Sequence, residues 1–213
     1  MNVVKTDEAA ITYLSERDPV LKNIMEQIGP IERPGRGELF PALLRQIVGQ
    51  QVSMKAARTV WGRFEELVGE VTPEHVLAHS AEEIQKCGLS FRKVAYIQST
   101  ASDIAEGRVD LDRLAYREDE DVIMTLSSLK GIGKWTAEML LLFSMERPNV
   151  LSYDDLGIQR GMRMAYQQEK ITKAFFEACR KRYSPYGTTA SLYIWEVAAG
   201  AIPEMKDPAL FQN

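Results

Sequence analysis

Two glycines, Gly131 and Gly133, stand at the front of the run LKGIGKWTAEMLLLF (129–143), and a pair of acids, Asp154 and Asp155, follows in LSYDDLGIQR. Glycine reaches backbone angles closed to other residues, so a GIG turn lets the main chain approach a ligand closely. From Lys134 the pattern turns helical, through the apolar run Met139 to Phe143. A helix start aims its N–H groups and the positive end of its dipole at an anion. Phosphate is the obvious anion, with Gly131, Gly133, Lys134 and Thr136 as the residues that would hold it. Upstream, Asp121 to Lys130 reads as another helix, apolar at Val122, Ile123, Leu126 and Leu129, so the whole is helix, hairpin, helix. The plain alternative is a helix turn with a glycine cap.

Asp154 and Asp155 stand just ahead of LGIQRGMRMAY, where an acid can cap a helix. Two adjacent acids also suit a site that places a carboxylate beside developing positive charge. Trp135 stands at the second position after the GIG turn, with Met139 four residues on and on the same helix face. Trp195, in SLYIWEVAAG, and Tyr153 are further candidate walls. Each of these side chains could equally belong to a hydrophobic core. A purine lifted out of a duplex needs such surfaces, because stacking on aromatics offsets the base stacking it loses.

The elements that must carry these residues are helical. Start signals recur at Asp18, Ser53, Thr72, Ser80, Ser90 and Thr172, and Gly69, Gly88 and Gly107 each follow a helical run. No alternating strand pattern is evident, which predicts an all-α protein of about ten or more helices. The stretch GPIERPGRG (29–37) reads as a non-helical linker. It predicts a central lobe of about 38–145 and a second lobe formed by about 1–37 plus 146–213, with a cleft between them as the natural place for chemistry.

At 213 residues and 45% hydrophobic content the chain can bury a real core. It holds no run of about 18 apolar residues, and MNVVKTDEAA lacks the features of a signal peptide, which predicts a cytosolic protein away from membranes, nucleoid-associated if bacterial. Cys87 and Cys179 are too few for a metal cluster and are expected to be buried thiols on helices. The net charge of −4 runs against a nucleic-acid partner, whose affinity comes from cations on phosphates. Much of the acidity is local, however. Asp103, Glu106, Asp110, Asp112, Glu118, Asp119, Glu120 and Asp121 crowd one segment, while Arg45, Lys55, Arg58 and Arg63, then Lys130 and Lys134, then Arg160, Arg163, Lys170 and Lys173 leave room for a basic face.

Taken in order, LLRQIVGQQVSMKAA, LKGIGKWTAEMLLLF, LSYDDLGIQRG and SLYIWE resemble the helix-hairpin-helix, Gly-Pro-Asp superfamily of DNA glycosylases, and within it the AlkA-type 3-methyladenine DNA glycosylase II branch. The resemblance covers about 39–199 and implies the compact form, two helical lobes without the N-terminal β domain of larger members. It implies that Asp155, followed by Ile158 and Arg160, is the catalytic acid, with Asp154 the alternative, although LSYDD lacks the signature proline. Trp135, Met139, Trp195 and Tyr153 would line the base pocket, Gln51 would wedge into the duplex, and Gln50 would be structural. A helix-end side chain bonded to backbone is the other reading of Gln51. Main-chain carbonyls of Ser127, Leu129 and Ile132 would hold a structural Na+ or K+. Endonuclease III, a bifunctional relative, carries a Schiff-base lysine where Trp135 stands, and an indole cannot form an imine, so no β-lyase activity is expected. No iron–sulfur cluster and no required cofactor are expected either. The implied activity is hydrolysis of alkylated purines, 3-methyladenine first and 7-methylguanine next, from damaged double-stranded DNA by a monomer. A glycosylase for deaminated or mismatched bases, or a non-catalytic DNA-binding module, would share the hairpin.

Overall fold

The computed structural model describes residues 3–210, and these are all-α apart from one small ribbon. In chain order they form β1 (Val3–Lys5), α1 (Glu8–Arg17), α2 (Pro19–Ile28), β2 (Glu32–Pro34), α3 (Leu39–Gly49), α4 (Met54–Val68), α5 (Pro73–Leu77), α6 (Ala81–Lys86), α7 (Phe91–Ala105), α8 (Leu111–Leu114), α9 (Asp119–Ser127), α10 (Lys134–Phe143), α11 (Leu156–Tyr166), α12 (Lys173–Tyr183) and α13 (Gly187–Ala199). No helix among the described residues is long and apolar enough to cross a membrane.

The capping residues set most of these boundaries. Asp18, Ser53, Thr72, Ser80, Ser90 and Thr172 each accept an N–H from the first turn of the helix that follows, and Ser80 completes a capping box with Glu83. Each such bond satisfies an otherwise orphaned donor and is worth about 1 kcal/mol. Gly69, Gly88 and Gly107 follow α4, α6 and α7 with left-handed φ.

Three expectations are corrected. The 29–37 stretch is not a plain linker: β2 pairs antiparallel with β1, Val4 opposite Arg33. Three-residue strands are too short to display a period-two pattern, so the pairing left no trace in the sequence. The helix expected over 121–130 starts two residues earlier and stops at Ser127, because Ser128 and Leu129 donate to Thr125 and Leu126, three residues back, tightening the chain into the hairpin. Cys87 lies just past the end of α6 rather than in a helix, and both cysteines are buried thiols.

The chain divides into two compact units. The first runs through Gly35 and resumes at Glu146, and its core contains Leu14, Leu21, Ile24, Ile158, Phe176 and Ile194. Within it the carboxylate of Asp18, 1% exposed, caps α2 and takes bonds from Tyr166 (2.8 Å), Arg182 (2.7 Å) and Tyr183 (3.3 Å). Burial pushes both phenols well above their ordinary range, so they stay protonated donors. The cluster thereby ties the α1–α2 junction to α11 and α12. Arg33 of the ribbon pairs with Glu196 of α13.

The tail of the same unit is pinned by Asp207, whose carboxylate accepts Arg163 Nε at 2.9 Å and Nη2 at 2.6 Å. The Arg163 guanidinium, first among several causes, holds the Asp207 carboxyl below its ordinary value. A carboxyl depressed on folding stabilises the fold above its unfolded pKa and loses that contribution as pH falls through the folded value. Asp207→Asn should therefore cost about 1–3 kcal/mol at neutral pH. Urea midpoints of variant and wild type should converge well below about pH 4, where both side chains are neutral.

The second unit, Arg36–Met145, packs α3 to α10 around Phe40, Leu43, Ile47, Phe64, Ile84, Ile97, Leu126 and Leu140.

Candidate active site

In the second unit the chain turns from α9 to α10 through Ile132 N–H, which donates to Leu129 at 3.1 Å. Gly131 has φ +84°, and a Cβ there would lie 2.4 Å from Cδ2 of Tyr96, so the turn admits glycine alone. Gln50 Nε2 donates to the Gly131 carbonyl at 2.6 Å, as a structural glutamine should. Gly133 is the N-cap of α10 and no side chain caps that helix, the arrangement suited to an anion at its N–H groups. Lys134 is on the surface, its ammonium 3.8 Å from Glu138 of the next turn. Trp135 is 40% exposed, unusual for an indole beside so apolar a helix. Thr136 and Met139 are buried at 8% and 2%. The Thr136 side chain is therefore closed off from solvent, and so is Met139, which does not stand as an open wall.

Gln51 lies in the turn between α3 and α4, exposed, with φ +56°. It follows Gln50, the C-cap of α3, in the left-handed conformation common just past a helix end. Lys93 of α7 donates to the carbonyls of Val48 (2.8 Å) and Gln50 (2.6 Å), immediately before it. Burial, and then the neighbouring Arg92, lower the Lys93 ammonium from its ordinary value.

In the first unit, Asp155 is the N-cap of α11. Its Oδ1 accepts Ile158 N–H at 2.8 Å and the Trp195 indole N–H at 2.9 Å. Asp155 is 7% exposed, whereas Asp154 lies on the surface in the preceding turn. The capping reading therefore falls on Asp155, whose carboxylate also accepts the indole N–H. Two glycines of α11 allow the arrangement. A Cβ on Gly157 would sit 2.8 Å from Trp195 Cδ1 and 3.1 Å from Asp155 Oδ1, and one on Gly161 would sit 2.1 Å from the Ile194 carbonyl oxygen. α11 and α13 cross at backbone contact. Tyr153 is half-buried, packs edge-on against Phe176 with ring centroids 5.0 Å apart, and yields its carbonyl to Gln159 at 2.8 Å. Its ring belongs to the packing of α12.

The structure thus brings together Asp155 and Trp195, and joins the hairpin to the Gln50–Gln51 turn. Gly157, Gly161, Lys93 and Tyr96 were not foreseen. The glycines had a readable signal, since two glycines four apart inside a helix each cost about 1 kcal/mol against alanine and mark a close approach. Lys93 had none.

The carbonyls of Ser127, Leu129 and Ile132 were expected to hold a monovalent cation. Ser127 closes α9, where the last helical carbonyls lack intrahelical partners, and the Leu129 oxygen keeps a lone pair beyond its bond to Ile132. An all-oxygen set fits a hard cation.

The chain belongs to the HhH-GPD superfamily of base excision DNA repair proteins, which it matches over residues 44–185. It is 32% identical over 205 residues to DNA-3-methyladenine glycosylase 1 of Schizosaccharomyces pombe, covering 92% of this chain and 90% of that protein. Among solved structures, a DNA-3-methyladenine glycosidase from Bacillus halodurans superposes with TM-score 0.88 at 36% identity, covering 96% of this chain and 95% of the other. The S. pombe 3-methyladenine DNA glycosylase Mag1 in complex with abasic DNA superposes with TM-score 0.78 at 28% identity, over 93% and 99%.

Proposed function

We propose that the protein is a monofunctional DNA glycosylase of base excision repair that releases alkylated purines, 3-methyladenine foremost, from duplex DNA. The observation that carries this reading is the Asp155 carboxylate held by the Ile158 N–H and the Trp195 indole at the start of α11. The names of the relatives, 3-methyladenine glycosylases among them and one bound to abasic DNA, support the substrate class.

The chemistry asks little of a general acid. An alkylated purine already carries positive charge, so when the C1′–N9 bond breaks its electron pair returns to the ring and the base leaves neutral. The sugar is left as an oxocarbenium-like cation, which the Asp155 carboxylate stabilises. Water then adds at C1′ and its proton passes to Asp155 or to solvent, leaving an abasic site. Before that, the base must leave the stack, at a cost of a few kcal/mol that is smaller for a damaged pair. Gln51, exposed on its turn, fills the vacated space, while Gly131, Gly133, Lys134 and the N–H of Thr136 hold the strand phosphate. Trp135 and Trp195 supply the stacking surfaces. Na+ or K+ on the carbonyls of Ser127, Leu129 and Ile132 would brace the hairpin and add positive charge near the phosphate.

Trp135 occupies the lysine position of the bifunctional relatives, and the nearby Lys134 serves phosphate, so the protein leaves abasic strands intact; the same reading has it work as a monomer that needs no cofactor. Incubated with methylated genomic DNA, it should release 3-methyladenine identifiable by mass, with strand breaks appearing only after alkali. Release of deaminated bases instead would overturn the substrate assignment, and a borohydride-trapped adduct on Lys134 would overturn the monofunctional one.

A further inference from the structure

Within the second unit, one helix touches both turns that the reading above assigns to DNA. Lys93, in the first turn of α7, binds the carbonyls of Val48 and Gln50 at 2.8 and 2.6 Å, closing the C-terminal end of α3 just before Gln51. A cation suits that negative helix end. Tyr96, three residues along α7, fills the space where a Cβ on Gly131 would stand. Gln50 then joins the turns directly through its bond to the Gly131 carbonyl at 2.6 Å. Gln51 itself holds φ +56°, a left-handed conformation that a non-glycine residue keeps only when its surroundings over-determine it. Both carbonyls gripped by the ammonium lie within three residues before Gln51.

We propose that Lys93 is a positioning residue for base eversion. With Gln50 it sets the register between the wedge turn and the strand-holding hairpin, so that Gln51 enters the duplex opposite the nucleotide whose phosphate is gripped. Lys93 takes no part in bond breaking. The proposal rests on the assignment of Gln51 as the wedge.

The test uses the full chain and a duplex in which 2-aminopurine, whose fluorescence rises on unstacking, neighbours an alkylated purine. Wild-type protein should raise the signal. Lys93→Met should weaken eversion and slow duplex excision by about tenfold, the low end of what a single charge-assisted bond contributes. Lys93→Arg should restore most of both. Excision from a single-stranded oligonucleotide with the same lesion, which needs no eversion from a duplex, should not change with Lys93→Met. If that variant everts like wild type, or if its duplex and single-strand rates fall together, the proposal is overturned. Gln51→Ala separates the underlying assignment: a normal signal there removes the wedge itself, whereas a defect there beside a normal Lys93→Met removes only the brace.

Discussion

Asp155→Asn should bind lesion duplex nearly as well as wild type and release base at least about 10²–10³-fold more slowly under single-turnover conditions. Asparagine preserves the size of the side chain and an oxygen that can still accept the Ile158 and Trp195 N–H groups at 2.8 and 2.9 Å. α11 keeps its cap and the indole keeps its place. What disappears is the negative charge that the proposed mechanism sets against the sugar cation, and with it the proposed acceptor for the proton of the attacking water. Asp154→Asn is the matched control: that side chain is exposed and lies outside the cap, so its excision rate should stay close to wild type. Rapid excision by Asp155→Asn, or a loss confined to Asp154→Asn, would reassign the acid.

The helices were legible because their starts are local statements. A Ser, Thr or Asp that must accept the N–H three residues on can be recognised from a handful of neighbouring positions, and Asp18, Ser53, Thr72, Ser80, Ser90 and Thr172 all do so. The hairpin was legible for the same reason, since the glycine at 131 answers to its own φ and the glycine at 133 to the start of α10. The ribbon was not, being a pairing of residues 3–5 with 32–34 that neither segment announces. Nor was the orientation of the site. Asp155 and Trp195 stand 40 residues apart, and their hydrogen bond depends on how two helices cross. Thr136 and Met139 show the converse limit: helical spacing assigns a face, but not how deeply that face is buried.

The second large effect lies at that crossing. Gly161→Ala places a methyl group 2.1 Å from the Ile194 carbonyl oxygen and 2.7 Å from its Cγ2. The obstacle is backbone within α13, so no rotamer change relieves it and the two helices must move apart. Overpacking that displaces backbone costs roughly 3 kcal/mol or more. For a chain of this size that is a fall of about 6–12 °C in melting temperature. Gly62→Ala, in α4 with nothing within 4 Å of the added carbon, gives the opposite sign by removing unfolded-state freedom, about 0.4–1 kcal/mol of stabilisation. The neighbouring Gly157→Ala separates packing from chemistry. Its methyl meets a side chain, Trp195 Cδ1 at 2.8 Å, and Asp155 Oδ1 at 3.1 Å, so the indole can swing away at modest cost to stability. That movement breaks the N–H bond which orients the carboxylate. Gly161→Ala should therefore lose stability first, and Gly157→Ala should lose excision while staying folded, both read by melting curves beside single-turnover rates. Equal melting temperatures for Gly161→Ala and wild type would mean that α11 and α13 do not meet at backbone contact, and the placement of Trp195 against Asp155 would fall with them.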